Sequence, residues 1–290
     1  HCHGGGGAGF PEATADIVDA AVAHHVRSGT TTMLASLVSA PREVLLDRTT
    51  LLAELWRRGD IAGVHLEGPF LARSRCGAQD PAAIVPGDPS LLDAVVAAGG
   101  GAVRSMTLAP ETANLDALAR MMADNDIRPS VGHTDADAAT VTAALARLTG
   151  PVSATHLFNG MPPLHHRAPG PVAACLASAG RGEMVLELIG DGVHLDAWTV
   201  AMVVDLVGPD GVVFVSDAMA AAGMSDGPYR LGSLDVTVAD GVARLTHEGD
   251  TPGAIAGGTS TVLDIVRRAV TESGVVLVSA LLLGYRRARA

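Results

Sequence analysis

The sequence predicts an α/β fold of the (β/α)8 TIM-like barrel class, and three observations carry that expectation. Short apolar, β-branched runs alternate with Ala-rich amphipathic stretches, the pattern of βαβ units around a parallel sheet. Aromatics make up 3% of the 290 residues while 48% are hydrophobic, so the core must be built from Ala, Val, Leu and Ile, as barrel interiors are. Five apolar runs stop at a His or a carboxylate: His1-Cys2-His3, Val64-His65-Leu66-Glu67, Val131-Gly132-His133, Ala154-Thr155-His156 and Val215-Ser216-Asp217. A parallel barrel assembles its active site from the C-terminal ends of its strands, so the five segments read as one metal site.

The elements follow in order. His1-Cys2-His3 runs straight into the glycines 4–7 and a helix over 13–27, so the chain is expected to begin at the very end of barrel strand 1. Strands are then predicted at 31–37, 61–66, 103–108, 127–131, 152–155, 184–189 and 212–215. Helices are predicted at 42–58, 90–98, 112–125, 135–148, 171–179, 196–207 and 261–272. A Gly/Pro-rich loop fills the interval up to residue 89. Between the last strand and its helix, runs at 234–238 and 243–246 flank Asp240-Gly241, the signal of a hairpin turn. Another helix is expected after Gly274, in an apolar run that ends in Arg-rich residues 285–290. No Ser/Gly/Pro linker divides the chain, so residues 1–290 are read as a single barrel domain with a hairpin insertion near 230–247. A truncated first strand would leave strands 2 and 8 with unpaired edges, and poor stability of this chain on its own is expected.

Composition excludes several partners. The net charge is −11 with Lys+Arg totalling 20, every one an Arg, which argues against nucleic acid and anionic membrane. Three scattered Cys imply no disulfide framework and a cytoplasmic setting; no signal peptide is expected, and no 18-residue apolar run occurs in the sequence.

On a strand, His1 and His3 point to one face while Cys2 points away, and two imidazoles on one face can grip a divalent ion. Glu67 ends its apolar run, where an unpaired buried carboxylate is costly and a metal would remove that cost. His133 and His156 complete a carboxylate-plus-two-imidazole set with room for water. Asp217 can take a proton from water and pass it to a leaving group. Each also has an ordinary reading: an exposed terminal His pair, a loop Glu, a hydrogen-bonded structural His, an N-cap Asp. His65, two residues before Glu67, is expected to be a packed structural His.

The order His-x-His, carboxylate, His, His, Asp resembles the amidohydrolase superfamily. With no Lys in the chain, the subclass bridged by carboxylated Lys is excluded, leaving Glu67 as the bridging carboxylate. Longer strings narrow the likeness. His65-Leu66-Glu67-Gly68-Pro69-Phe70, Thr155-His156-Leu157-Phe158-Asn159-Gly160-Met161, Asp191-Gly192-Val193-His194 and Ser216-Asp217-Ala218 resemble the N-acetylglucosamine-6-phosphate deacetylase family, from His1 to about Val270.

The resemblance implies the following. Glu67, His133 and His156 are metal ligands, and His1 and His3 are a pair for a second ion. The cofactor is a divalent metal, zinc first and iron, manganese or cobalt as alternatives, one or two ions per subunit. Asp217 is the catalytic acid/base. Asn159, Gly160, Arg167 and His194 hold the sugar phosphate, Asp191 is a further substrate-binding residue, and Ile255-Ala256-Gly257 lines the sugar. Arg167 reaches a neighbouring subunit's site, implying a homodimer. Ala78-Gln79 falls where the family carries a substrate-contacting His twelve residues past the Glu, so Gln79 can hydrogen-bond there but carries no charge. The family's small accessory β-domain, built from both chain ends, is expected to be largely missing. The implied reaction is hydrolysis of the acetamide of N-acetylglucosamine 6-phosphate. A different amidohydrolase substrate, such as a cyclic amide or an N-acyl amino acid, or a non-catalytic relic binding metal or sugar phosphate, are the alternatives.

Overall fold

A computed structural model describes residues 1–290 except 13, 16, 248–251 and 286–290. Seven parallel strands lie in sequential order: β3 (Leu34–Leu37), β4 (Gly63–Glu67), β5 (Val103–Leu108), β6 (Arg128–Val131), β7 (Val152–Ala154), β8 (Met184–Leu188) and β9 (Val212–Phe214). Before them come α1 (Val18–Arg27) and a short antiparallel ribbon, β1 (Gly4–Gly5) with β2 (Ala8–Gly9). The intervening helices are α2 (Arg42–Arg58), α3 (Pro89–Gly99), α4 (Leu115–Asp124), α5 (Ala138–Leu145), α6 (Gly170–Gly180) and α7 (Ala197–Val207). After β9 come an antiparallel sheet of β10 (Gly227–Leu231), β11 (Leu234–Ala239) and β12 (Val242–Leu245), then α8 (Val262–Thr271) and α9 (Leu277–Tyr285). This is the curled parallel sheet with alternating helices of a TIM-like barrel.

The sheet is closed at its upper rim by the first three residues. Cys2 bridges Ala35 of β3 in parallel sense, and Ser36 N donates to the Cys2 carbonyl at 2.8 Å. On the other side, the amides of His3 and Gly4 both donate to Ala218 O beyond β9, at 2.7 and 2.9 Å. Residues 1–3 thus occupy the rim position between β3 and β9. Below them lies a cavity of about 810 Å³, lined by residues 30–34 and 213–216 together with His1 and Glu187. The strand expected at 31–37 is observed as Leu34–Leu37.

Other differences from the sequence expectation have local causes. The helix expected over 13–27 begins at Val18; residues 13 and 16 lie outside the described residues. The helix expected from 135 starts at Ala138 because Asp137 caps it, accepting from Thr140 N at 2.7 Å. Strand β10 has no counterpart among the strands expected from the sequence, and its Pro228 lacks an N–H. It is an edge strand of its sheet, where a missing N–H is tolerated. The Asp240-Gly241 turn places both residues at positive φ, 51° and 73°, as a two-residue I′ hairpin requires. A second core of Val38, Met219, Leu231, Val236, Val238 and Ala243 seats this hairpin on the barrel rim.

Candidate metal centre

Side chains from six strand positions meet over the barrel's C-terminal end. Glu67 is the last residue of β4; His133, His156 and Asp217 follow β6, β7 and β9 by two or three residues. Those three hold positive φ, 47°, 29° and 46°, a region that costs a non-glycine residue about 1–3 kcal/mol and clusters at functional sites. The strain turns each strand end inward, so the side chain enters the lumen mouth instead of continuing the pleat. Gly160 makes room for His133, since a Cβ there would lie 2.9 Å from the ring Nδ1.

Two ligand-like groups result. Glu67, His133 and His156 form one and His1, His3 and Asp217 the other, each with donor atoms within 4.8 Å of one another. Glu67 joins them. Its Oε1 lies 3.1 Å from His133 Nε2 and 2.8 Å from His156 Nε2, while its Oε2 lies 3.1 Å from His3 Nε2. Asp217 Oδ1 is 3.0 Å from His1 Nε2 and 3.3 Å from His3 Nε2, at ion-pair distance but without the angles of a hydrogen bond, so it is buried and unsatisfied. Glu67, His3, His133 and His156 are all under 6% exposed, so none of this charge is relieved by water.

The donor set fits a divalent ion. His3 Nδ1 faces Ser36 O at 3.2 Å and His133 Nδ1 faces Arg75 O at 2.8 Å. A carbonyl only accepts, so both rings carry hydrogen on Nδ1, and in the neutral ring Nε2 is a lone pair. A lone pair facing a carboxylate oxygen needs a cation between them, either a second proton or a metal. Ligands about 2.0–2.1 Å from zinc stand roughly 3.3 Å apart in a tetrahedron, close to the spacings found. The electrostatics agree. Burial pushes the Glu67 carboxyl up, but hydrogen bonds from His133, His156 and His3 outweigh it and hold it well below the usual range. Burial likewise lowers His3, yet Asp217 and Glu67 raise it to about 9.

The remaining sequence-predicted residues are distributed around this centre. Gln79 is buried with both amide ends engaged: its Nε2 donates to Glu67 Oε2 at 2.7 Å and its Oε1 accepts from Ser39 N at 2.7 Å. Ala78 beside it packs on the hairpin core. Asn159 Nδ2 donates to His156 O at 3.1 Å. Asp191 is buried and accepts from the amides of Val193 and His194 and from His194 Nδ1 at 2.8–2.9 Å. Residues 255–257 run against the Asp217 turn, with Gly258 N donating to Asp217 O at 2.7 Å. Arg167 is exposed in the loop before α6, where its amide donates to His165 Nδ1 at 3.3 Å.

His65 is the structural His expected, between Ser36 Oγ (2.9 Å) and Thr107 Oγ1 (2.8 Å). Burial and the neighbouring His1 push it down to about 3. Thr107 continues to Thr155 and Thr155 to Ser130, at 2.6 Å each, so a belt of buried hydroxyls ties β3 to the end of β7 directly beneath the ligands. Sequence reasoning missed Glu187. Its Oε2 lies 2.9 Å from His1 Nδ1. The available signal was a single charge inside the apolar strand Met-Val-Leu-Glu-Leu.

The chain matches no family model. It is 34% identical over 263 residues to N-acetylglucosamine-6-phosphate deacetylase of Bacillus subtilis, covering 88% of this chain and 65% of that protein. It thus spans just under two thirds of that relative's length. Over 285 residues it is 31% identical to N-acetylgalactosamine-6-phosphate deacetylase of Escherichia coli O157:H7, covering 97% of this chain and 73% of that protein. Among solved structures it superposes on N-acetyl-D-glucosamine-6-phosphate deacetylase of Mycobacterium smegmatis with a TM-score of 0.90 at 40% identity, over 98% of this chain and 72% of that one. With its two ligand groups joined through Glu67, this chain belongs to the N-acetylglucosamine-6-phosphate deacetylase family.

Proposed function

We propose that this chain, as a single barrel domain over 1–290, hydrolyses the acetamide of N-acetyl-D-glucosamine 6-phosphate to D-glucosamine 6-phosphate and acetate. The observation that carries the reading is the pair of buried His/carboxylate groups sharing Glu67, with Asp217 beside both. The Mycobacterium smegmatis relative was solved in complex with N-acetyl-D-glucosamine 6-phosphate, which supports the substrate.

Glu67, His133 and His156 would hold a primary ion, and His1, His3 and Asp217 a second. Zinc suits the nitrogen-rich set best, with iron, manganese and cobalt as alternatives. Such an ion, when bound, would supply Lewis acidity toward the acetyl carbonyl and a lowered pKa for water. Burial pushes the Asp217 carboxyl up, but His1 and His3 hold it far below the usual range, so it stands ionised and ready to accept the water's proton. It returns that proton to the amine as the C–N bond breaks.

Asp191 takes the Nδ1–H of His194, leaving Nε2 of that ring to the sugar phosphate. Asn159 and Gly160 contribute beside it, and the 255–257 loop lines the sugar face. Gln79 and Ala78 act at one remove, through the Glu67 carboxylate that Gln79 orients. The partner subunit's Arg167 supplies the phosphate fork. A homodimer is supported by Trp198, Met202 and Leu206, spaced four apart on α7 and 84%, 40% and 63% exposed, a stripe that association would cover. Cys2, Cys76 and Cys175 are free thiols, which suits a cytoplasmic location. Among the described residues no helix is long and apolar enough to cross a membrane.

The test is acetate release from N-acetylglucosamine 6-phosphate with Zn²⁺, Mn²⁺ or Fe²⁺, against unphosphorylated N-acetylglucosamine and the galacto epimer. Phosphate-dependent turnover lost on chelation is expected. Turnover of cyclic amides or N-acyl amino acids instead would replace this reading.

A further inference from the structure

Three of the imidazoles in the centre share one arrangement: Nδ1 is tied to an acceptor and Nε2 faces inward. For His3 and His133 the acceptor is a backbone carbonyl, Ser36 O and Arg75 O. For His1 it is a side chain, the Glu187 carboxylate, with Oε2 2.9 Å from Nδ1. A carboxylate cannot donate, so His1 carries its hydrogen on Nδ1, and its Nε2 lies 3.0 Å from Asp217 Oδ1. Outer partners of this kind fix the tautomer and ring orientation of metal-binding His.

Among the described residues, His1 is the side chain that hydrogen-bonds Glu187. It is the one charged residue of β8, at an inward-facing position of the strand, and it lines the lumen cavity below the rim. A carboxylate there is costly unless paired, and His1 is the partner it meets through a side-chain hydrogen bond.

We propose that Glu187 is a positioning residue for the second ion: it holds His1 in the Nδ1–H form with Nε2 turned to His3 and Asp217, and occupancy of that half-site depends on it. This rests on the metal reading given above. The two half-sites are unequal in this respect. The Glu67, His133 and His156 group receives no side-chain hydrogen bond from Glu187; the carboxylate reaches it only at the backbone amide of His156, 3.4 Å away.

The test is a Co²⁺ titration of the metal-stripped 290-residue chain, read by visible absorption and equilibrium dialysis, for wild type, Glu187→Leu and Glu187→Gln. Wild type is expected to take two equivalents. Glu187→Leu, which removes the acceptor, is expected to weaken one equivalent by about 10–100-fold, the usual effect of losing such a partner, and to leave the other within about threefold. Glu187→Gln keeps an oxygen that accepts from Nδ1–H, so it is expected to restore most of that affinity. Melting curves of the three stripped proteins report whether the fold is retained. Two tight equivalents in Glu187→Leu would overturn the proposal, as would parallel weakening of both, or a Gln variant no better than Leu. A wild type that binds no second equivalent would overturn the two-ion reading itself, which separates that failure from this one.

Discussion

At the scale of single residues, the centre is held by atoms whose alternatives are all expensive. Glu67 serves both half-sites, so Glu67→Ala should strip both ions and lower kcat/KM by at least about 10³-fold, because several kcal/mol of electrostatic stabilisation go with them. Metal analysis of the purified variant checks this; two retained equivalents would refute the shared-carboxylate geometry. His65 has a different consequence. Replacing it by Leu removes two buried hydrogen bonds, one with Ser36 and one with Thr107, which should cost about 1–3 kcal/mol of stability in urea unfolding at about 0.5–1.5 kcal/mol each. The pH dependence of the stripped chain follows from His3. Its value is raised to about 9, so its contribution is complete below the unfolded value near 6.5 and fades as pH rises through 9. The melting temperature should therefore drop between pH 7 and pH 10, and His3→Asn should flatten that slope. Residues such as Glu67, His133, His156 and Asp217 were legible because each is a polar stop to an apolar run. Glu187 was not, because it stands one position before its run ends and reads as one charge among apolar neighbours.

At the scale of elements, alternation and caps carried most of the information. Helix α2 begins and ends where the amphipathic pattern does, and its stop is Gly59 in the left-handed region at φ 84°. Helix α8 opens on a capping box between Thr261 and Asp264, so Thr261→Ala should destabilise it by about 1 kcal/mol. Three kinds of feature escaped the pattern. Strand β10 hid behind Pro228, and the first turns expected of two helices gave way to Asn114 and Asp137. The inward turn after β6, β7 and β9 depends on positive φ at His133, His156 and Asp217, a backbone choice no residue type announces. The stripe on α7 makes a prediction of its own. If the proposed homodimer forms through this stripe, Trp198→Glu should shift the chain toward monomer in sedimentation and raise KM, with kcat changed less.

At the scale of the whole molecule, low aromatic content and βαβ rhythm point to the barrel, and the seven sequential parallel strands are that barrel. Its rim is closed by three residues at the first strand position, and below them lies the 810 Å³ cavity. Composition could not foretell that Cys2, His3 and Gly4 would join the β3 edge to the segment after β9. With a net charge of −11, the proposed phosphate recognition would have to rest on few cations, and Arg167 and His194 are the ones proposed for it. The central claim is that Asp217 moves the proton in an amide hydrolysis run by this metal centre. The most direct measurement is kcat for acetate release from N-acetylglucosamine 6-phosphate by wild type and Asp217→Asn at matched Zn²⁺ content. A fall of about 10²–10⁴-fold is predicted; equal rates at equal metal occupancy would contradict the account.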